Sequence, residues 1–156
     1  DYARMFRGRP LRFVLPLNYP TKSKISNFLS WGCESSLDNF ENLVTLKDMN
    51  ASAYQLPDGI IFCKPELLCN LGCETPRICE RNLGLDYQYF YAIRSDVDGD
   101  NPGTLIKVDI YNKTKLTWCE NNVYPSEPIF ISSPNPQSED DGVILASMVW
   151  GHGEEN

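Results

Sequence analysis

Short extended segments separated by turn residues dominate this chain, and no long stretch keeps apolar residues at helical spacing. Pro57-Asp58-Gly59 is typical of a hairpin turn, and Tyr111-Asn112-Lys113 separates another two segments. The extended segments are residues 11–17, 42–46, 51–55, 59–64, 87–93, 104–110, 114–119, 129–132 and 143–150. Consecutive short strands with tight turns form antiparallel meanders, which build sandwiches, barrels or propeller blades. The sequence therefore predicts an all-β protein with at most a short helix, within residues 23–40.

Length and charge narrow the class of protein further. The 156 residues fit one domain, and the net charge of −7 argues against nucleic acid as a partner. No apolar run approaches the roughly 20 residues that a membrane-spanning helix needs. The chain starts at Asp1 without a Met or a leader, and the apolar residues 143–150 lie almost at its other end. We therefore expect residues 1–156 to be a fragment of a single domain within a longer protein.

The six cysteines are expected to be free thiols. A chain of this length and apolar content does not need a disulfide framework, and without a leader we expect a cytoplasmic protein. The spacing of Cys69, Cys73 and Cys79 lacks the fourth ligand that a zinc site requires.

Two acidic segments are candidate cation sites. Residues 96–103 resemble the start of a calcium loop, but Asn101 stands where Gly is required and Lys107 where a bidentate Glu is required. Residues 138–142 are an acidic turn that precedes an apolar strand predicted to be buried. Solvated turns are the simpler interpretation of both.

Two glutamates lie next to prolines that fix the backbone around them. Glu127 lies between Pro125 and Pro128, which favours extended geometry and gives its carboxylate a set direction. Glu74 is two residues before Pro76, with Arg77 as a local ion-pair partner. From these residues alone both glutamates are expected at the surface, since a buried charge must be paired.

Several motifs nevertheless match a known family in order and spacing. They are Arg12-Phe13-Val14-Leu15-Pro16-Leu17, Asn42-Leu43-Val44-Thr45-Leu46, Glu74-Thr75-Pro76-Arg77-Ile78, Tyr89-Phe90-Tyr91-Ala92-Ile93, Tyr124-Pro125-Ser126-Glu127-Pro128-Ile129-Phe130 and Glu139-Asp140-Asp141-Gly142-Val143-Ile144-Leu145. With these motifs the chain resembles the carotenoid cleavage oxygenases. Three segments are most similar to the insect branch, the carotenoid isomerooxygenases: Tyr89-Phe90-Tyr91-Ala92-Ile93, Ser95-Asp96-Val97-Asp98 and Asn101-Pro102-Gly103-Thr104-Leu105-Ile106-Lys107-Val108-Asp109.

The resemblance implies part of a seven-bladed β-propeller, made of several antiparallel blades, with a non-haem Fe²⁺ on its axis. In that family four histidines bind the iron, and three glutamates accept hydrogen bonds from the outer nitrogens of ligand histidines. Glu74 and Glu127 match two of these glutamates. No ligand histidine matches within the chain, because His152, its only histidine, falls at none of those positions. The resemblance therefore implies that this fragment alone is inactive.

The activity implied for the full-length protein is cleavage of the central double bond of a carotenoid by O₂. The product is retinal, the precursor of visual chromophore, and in the insect enzymes cleavage is coupled to isomerisation. An apolar tunnel would position the polyene, which the protein would take up at a membrane surface. We expect Tyr89, Phe90 and Phe130 to be core residues rather than tunnel residues. The alternatives are a retinoid isomerohydrolase of the same fold and a non-enzymatic β-rich binding module.

Overall fold

The structure, a computed structural model, describes residues 8–17, 37, 40–95 and 103–151. The strands are β1 Leu11–Arg12, β2 Ser52–Gln55, β3 Ile61–Lys64, β4 Glu66–Leu67, β5 Cys73–Ile78, β6 Tyr89–Arg94, β7 Leu105–Asp109, β8 Thr114–Trp118, β9 Val123–Pro125, β10 Ile129–Ser132, β11 Gly142–Leu145 and β12 Met148–Trp150. Within the described residues there is no α-helix, and a 3₁₀ turn spans Glu80–Asn82. The predicted all-β class is confirmed. Residues 23–40, where a short helix was expected, lie outside the described part except for Leu37 and Phe40.

The chain divides into two compact units, residues 11–67 and residues 1–10 with 68–156. In the first unit β1 pairs with β4, and β2 pairs with β3 in the hairpin predicted around Pro57-Asp58-Gly59. The buried Glu66 carboxylate accepts a hydrogen bond of 2.6 Å from Arg12, so its charge is paired. In the part of the chain that the structure describes, no helix is long and apolar enough to cross a membrane.

Residues 42–46 do not form the predicted strand. The side-chain oxygen of Asn42 accepts a hydrogen bond from Ala53 N, and Leu43 N donates to Ala53 O. The Asn42 side chain thus takes the place of a backbone acceptor for β2, and no regular hydrogen-bond ladder forms between residues 42–46 and β2. In the same unit the predicted strand 11–17 is regular only over Leu11–Arg12.

The second unit contains a four-stranded antiparallel sheet in the order β5-β6-β7-β8. The turn predicted at residues 111–113 joins β7 to β8. One face of the sheet is the larger hydrophobic core, formed by Leu68, Cys69, Phe90, Ala92, Ile106, Val108 and Ile110. Since β6 and β7 lie in the middle of the sheet and are mostly buried, they hold this unit together.

A long interrupted hairpin lies beside this sheet. β9 pairs with β12, and β10 pairs with β11, where one strand over residues 143–150 was predicted. That prediction was wrong in two respects. The segment is two short strands, and Val143 and Leu145 are 63% and 58% exposed instead of buried. The interruption arises because Ser126 and Ser147 bond to each other through side chains as well as backbone.

The second face of the four-stranded sheet packs against this hairpin. The ring of Phe130 stacks on that of Tyr91 with centroids 4.9 Å apart and planes 5° from parallel. Cys79 completes this smaller core and Tyr89 packs against it. Phe90 and Phe130 are therefore core residues, as expected from the sequence.

Gly142 should be essential for the closure of the β10–β11 hairpin. A Cβ there would lie 2.2 Å from the backbone oxygen of Ile131 and 2.7 Å from the Phe130 ring. We expect Gly142→Ala in the full-length protein to lower the free energy of unfolding by about 1–3 kcal/mol, measured by urea denaturation. Gly151→Ala is the matched control, because the nearest described atom to a Cβ there, in the Tyr124 ring, would be 3.4 Å away. Equal stability of the two variants would contradict this packing.

Candidate functional site

Glu74 lies at an irregularity in β5. Glu74 pairs with Ile93 and Arg77 pairs with Tyr91, so the two residues between them on β5 face one residue on β6. This extra residue is a β-bulge, and Thr75 within it has a positive φ of 49°. Pro76 favours a loop around Glu74 in the sequence, whereas the structure has the strand β5 there. A Pro is tolerated in β5 because it sits at a bulge of an edge strand.

Glu127 lies at a second bulge of the same kind. The hairpin is paired at Pro125–Met148 and again at Ile129–Leu145. Between these two pairs, residues 126–128 lie opposite residues 146–147, so the first strand has one extra residue. Glu127 is the middle one of the three. Bulges are common beside active sites, where they redirect a side chain out of the regular alternation of the sheet. Of the two glutamates singled out from the sequence, Glu74 therefore flanks a bulge and Glu127 lies within one, and neither bulge was predicted from the sequence.

Arg77 connects the two bulged strands. Its Nε donates a hydrogen bond of 2.5 Å to Oε1 of Glu127, and the two side chains are 54% and 42% exposed. Exposed ion pairs contribute about 0–1 kcal/mol, so this pair matters more for orientation than for stability. The local pair between Arg77 and Glu74 considered from the sequence is not formed. Arg77 was therefore not identified as the partner of Glu127 from the sequence, because the pair joins residues 50 positions apart.

The environments of the two glutamates differ. Glu74 is exposed, and within the described residues its carboxylate makes no hydrogen bond or ion pair. Oε1 of Glu127 is held by Arg77, while its Oε2 has no donor among the residues that the structure describes. Each glutamate therefore retains acceptor capacity for a donor from elsewhere.

The acidic turn before β11 is a docking element and not a solvated loop. The carboxylate of Glu139 accepts hydrogen bonds of 2.8–3.0 Å from the backbone N–H groups of Gln88 and Tyr89, at the start of β6. Asp140 accepts a bond of 2.5 Å from Lys107, whose ammonium lies 4.3 Å from the centroid of the Tyr89 ring. These contacts fix the hairpin on the four-stranded sheet.

Burial and these carboxylates change the acidity of neighbouring groups. Burial, followed by the charges of Asp140 and Glu139, raises the pKa of Tyr91 far above its usual range. The phenol is therefore neutral at any physiological pH and serves as a packing residue. Hydrogen bonds from Lys107 and then Ser138 hold the pKa of Asp140 below its ordinary value.

The described residues do not supply a set of metal ligands. Among residues 8–17, 37, 40–95 and 103–151, no three His, Cys, Asp or Glu side chains converge as a site. Cys63, Cys69, Cys73, Cys79 and Cys119 are free thiols. Cys33, His152 and most of the calcium-like segment, residues 96–102, lie outside the described part. Any metal of the full-length protein would need ligands from other residues.

Comparison with known proteins decides the family. Residues 2–156 match the sequence model of the RPE65 family, "Retinal pigment epithelial membrane protein". The chain belongs to this family. The carotenoid isomerooxygenase of Drosophila melanogaster is 47% identical over 97% of the chain, and that of Galleria mellonella is 44% identical over 97%. The β,β-carotene 15,15'-dioxygenase of Mus musculus is 33% identical over 88%. The predicted resemblance to carotenoid oxygenases, and to their insect branch, is confirmed.

The same comparisons show that the chain is only part of what it matches. It spans 32% of the Drosophila protein and 22% of the Galleria protein. A crystal structure of an ACO/RPE65 chimera aligns with a TM-score of 0.53 and 24% identity, covering 64% of this chain and 21% of that one. Cobalt-substituted Synechocystis ACO aligns with a TM-score of 0.52 and 21% identity, covering 68% and 24%. These structures are β-propellers, so the predicted partial propeller is confirmed, and the family has a metal centre.

Asp140 gives a pH-dependent test of the docking turn. Because the folded-state pKa of Asp140 is lowered, its contribution to stability is present above the unfolded pKa of about 3.9 and is lost as the pH falls through the folded value. We expect wild-type full-length protein to be more stable than Asp140→Asn at pH 7, with a difference that shrinks below about pH 4. Urea midpoints between pH 7 and pH 3 measure it.

Glu80→Gln is the control, since Glu80 is exposed and its side chain forms no hydrogen bond or ion pair with the described residues. A difference between wild type and Asp140→Asn that stays constant from pH 7 to pH 3 would contradict the proposed role of the Asp140 carboxylate.

Proposed function

We propose that the full-length protein is a non-haem Fe²⁺ dioxygenase that cleaves the central double bond of a carotenoid to retinal, with isomerisation as in the insect enzymes. The observation that carries this is the identity of 47% and 44%, over nearly the whole chain, to two proteins named carotenoid isomerooxygenase. The substrates are the carotenoid and O₂. Fe²⁺ would supply the centre that activates O₂.

The described residues act around this centre and not as its ligands. We propose that Glu127 and Glu74 each accept a hydrogen bond from the outer ring nitrogen of a histidine that lies outside this chain. Such a bond fixes which nitrogen carries the proton and the direction in which the ring points. The support is that Oε2 of Glu127 lacks a donor while Arg77 holds Oε1. Glu74 has weaker support, because no described residue fixes its carboxylate.

The cellular location of the protein is proposed from its free thiols and its apolar substrate. Five free thiols suit a reducing compartment, so we propose a cytoplasmic protein that associates peripherally with membranes to take up its apolar substrate. The net charge of −7 disfavours a nucleic-acid partner. The 156-residue fragment alone would be inactive, because a single histidine cannot hold an open ferrous site.

Purified full-length protein tests the reaction. We expect it to convert β-carotene to retinal under air and not under argon, with the products and their double-bond geometry measured by chromatography. Release of an isomerised retinol from an all-trans-retinyl ester, with no reaction on β-carotene, would instead support the isomerohydrolase. Absence of bound iron and of both reactions would support a binding module.

Substitution of the glutamates tests their roles. Glu127→Gln keeps the size of the side chain but weakens the acceptor, so we expect iron content or activity to fall about 10- to 100-fold, and Glu74→Gln to behave similarly. Iron is measured by mass spectrometry and retinal by chromatography. Glu80→Gln, on an exposed carboxylate close to β5, is the matched control. A Glu127→Gln protein with the iron and activity of this control would remove Glu127 from the proposal, and the same holds separately for Glu74.

A further inference from the structure

The ion pair between Arg77 and Glu127 engages only one of the two carboxylate oxygens. An arginine carries five N–H donors in a planar fork, and its pairs with carboxylates are frequently bidentate, which occupies both oxygens. Here Nε of Arg77 donates to Oε1, and among the described residues nothing donates to Oε2. The pair therefore restricts the rotation of the carboxylate and leaves Oε2 as an acceptor with a set direction.

The bulge in β5 determines the face on which Arg77 lies. Residues three apart on a regular strand point to opposite faces, and Glu74 and Arg77 are three apart. Their partners on β6, Ile93 and Tyr91, are only two apart and share a face. Directly paired residues also share a face, so the extra residue of the bulge puts Arg77 on the side of Tyr91. The hairpin that contains Glu127 packs against this side.

Docking of the hairpin does not depend on this ion pair. The ring of Phe130 already stacks on Tyr91, and the carboxylate of Glu139 accepts hydrogen bonds from backbone N–H groups where β6 begins. Both side chains of the Arg77–Glu127 pair are partly exposed, and an exposed ion pair adds little to stability. Orientation of the Glu127 carboxylate therefore explains Arg77 better than attachment of the hairpin does.

We propose that Arg77 is a positioning residue of the iron site and acts through Glu127. By holding Oε1, Arg77 presents Oε2 as the acceptor for the outer nitrogen of the ligand histidine. The proposal rests on the function proposed above, in which a histidine from outside this chain donates to Glu127. Without Arg77 the carboxylate would still be present, but it would sample several orientations, and forming the contact with the histidine would cost more entropy.

Arg81 provides a matched comparison within the same chain. Its side chain also reaches the hairpin, where it donates to Oγ of Ser132 and, over 3.5 Å, to the carbonyl oxygen of Ser133. Both acceptors are neutral and lie beyond the bulge at Glu127. Arg81 thus shares with Arg77 its charge, its exposure and a contact to the hairpin, but it holds no carboxylate. An effect common to both arginines belongs to docking, and an effect specific to Arg77 belongs to Glu127.

Release of iron from the purified full-length protein tests the proposal without relying on turnover. Transfer of Fe²⁺ to ferrozine is followed by absorbance. We expect Arg77→Gln to release iron about 3- to 10-fold faster than the wild type, and Arg81→Gln to release it at the wild-type rate. Arg77→Lys should restore most of the slow release, because an ammonium on the longer aliphatic stem of lysine can still reach Oε1. Equal rates for Arg77→Gln and Arg81→Gln would overturn the proposal.

A double-mutant cycle tests whether Arg77 acts through Glu127. In the protein that carries both Arg77→Gln and Glu127→Gln, we expect iron to be released no faster than in Glu127→Gln alone, because the acceptor that Arg77 orients is already altered. Additive effects of the two substitutions would show that Arg77 acts by another route and would overturn the proposal. Urea midpoints verify that each variant is folded, and Arg77→Ala, at the same partly exposed position, provides a second variant.

The wild-type protein separates this proposal from the function on which it rests. If the wild type retains iron and cleaves β-carotene while Arg77→Gln behaves like Arg81→Gln, only the role of Arg77 is wrong. If the wild type binds no iron, the proposed function fails and the role of Arg77 fails with it. Faster release from Arg77→Gln and not from Glu127→Gln would likewise exclude a role of Arg77 through Glu127.

Discussion

The structure of the second unit depends on the docking of one sheet face onto another. A four-stranded sheet with two apolar faces cannot bury both by itself, and a two-stranded hairpin is marginal when isolated. The stack of Phe130 on Tyr91 buries part of one apolar face of the sheet and part of the hairpin, because each ring shields the other from water. Glu139 then fixes the register of the two sheets by accepting hydrogen bonds from the backbone N–H groups of Gln88 and Tyr89, where β6 begins. Apolar contact supplies the attraction, and the carboxylate supplies the alignment.

The two bulges, in β5 and in the interrupted hairpin, affect which side chains can leave the packed faces of these two elements. A bulge leaves a residue without a ladder partner, so its side chain is free of the strict alternation that the packed faces impose on their neighbours. Glu127 is at such a position, whereas Glu74 is the paired residue that flanks the other bulge. Arg77, on the far side of that bulge, reaches Glu127. The irregular points of the two sheets are thereby linked to each other, while Phe130 and Tyr91 keep the regular parts together.

The sequence predicted what depends on local pattern. The β2–β3 hairpin and the β7–β8 turn follow from turn residues between extended segments, and the buried Phe90 and Phe130 follow from apolar character. It did not predict what depends on distant partners. Strand β5 contains Pro76 and looks like a loop until a bulge explains how the ladder bypasses it. The strand predicted at residues 42–46 fails because Asn42 substitutes a side chain for a backbone partner. The pairs of Glu127 with Arg77 and of Glu139 with Gln88 join residues about 50 positions apart, which no local pattern encodes.

The exposure of Glu127 in this chain is compatible with the buried role proposed for it. A carboxylate that is to meet an imidazole from another part of the polypeptide must present a free acceptor toward that part, so it remains open until the partner is present. What distinguishes it from an ordinary surface glutamate is that its direction is already set, by Pro125 and Pro128, by the bulge and by Arg77. Fixing a side chain before its partner arrives reduces the entropy lost when the contact forms. Glu74 lacks the ion pair that fixes Glu127, and for that reason the two glutamates, equivalent in the sequence motif, are not equivalent in the structure.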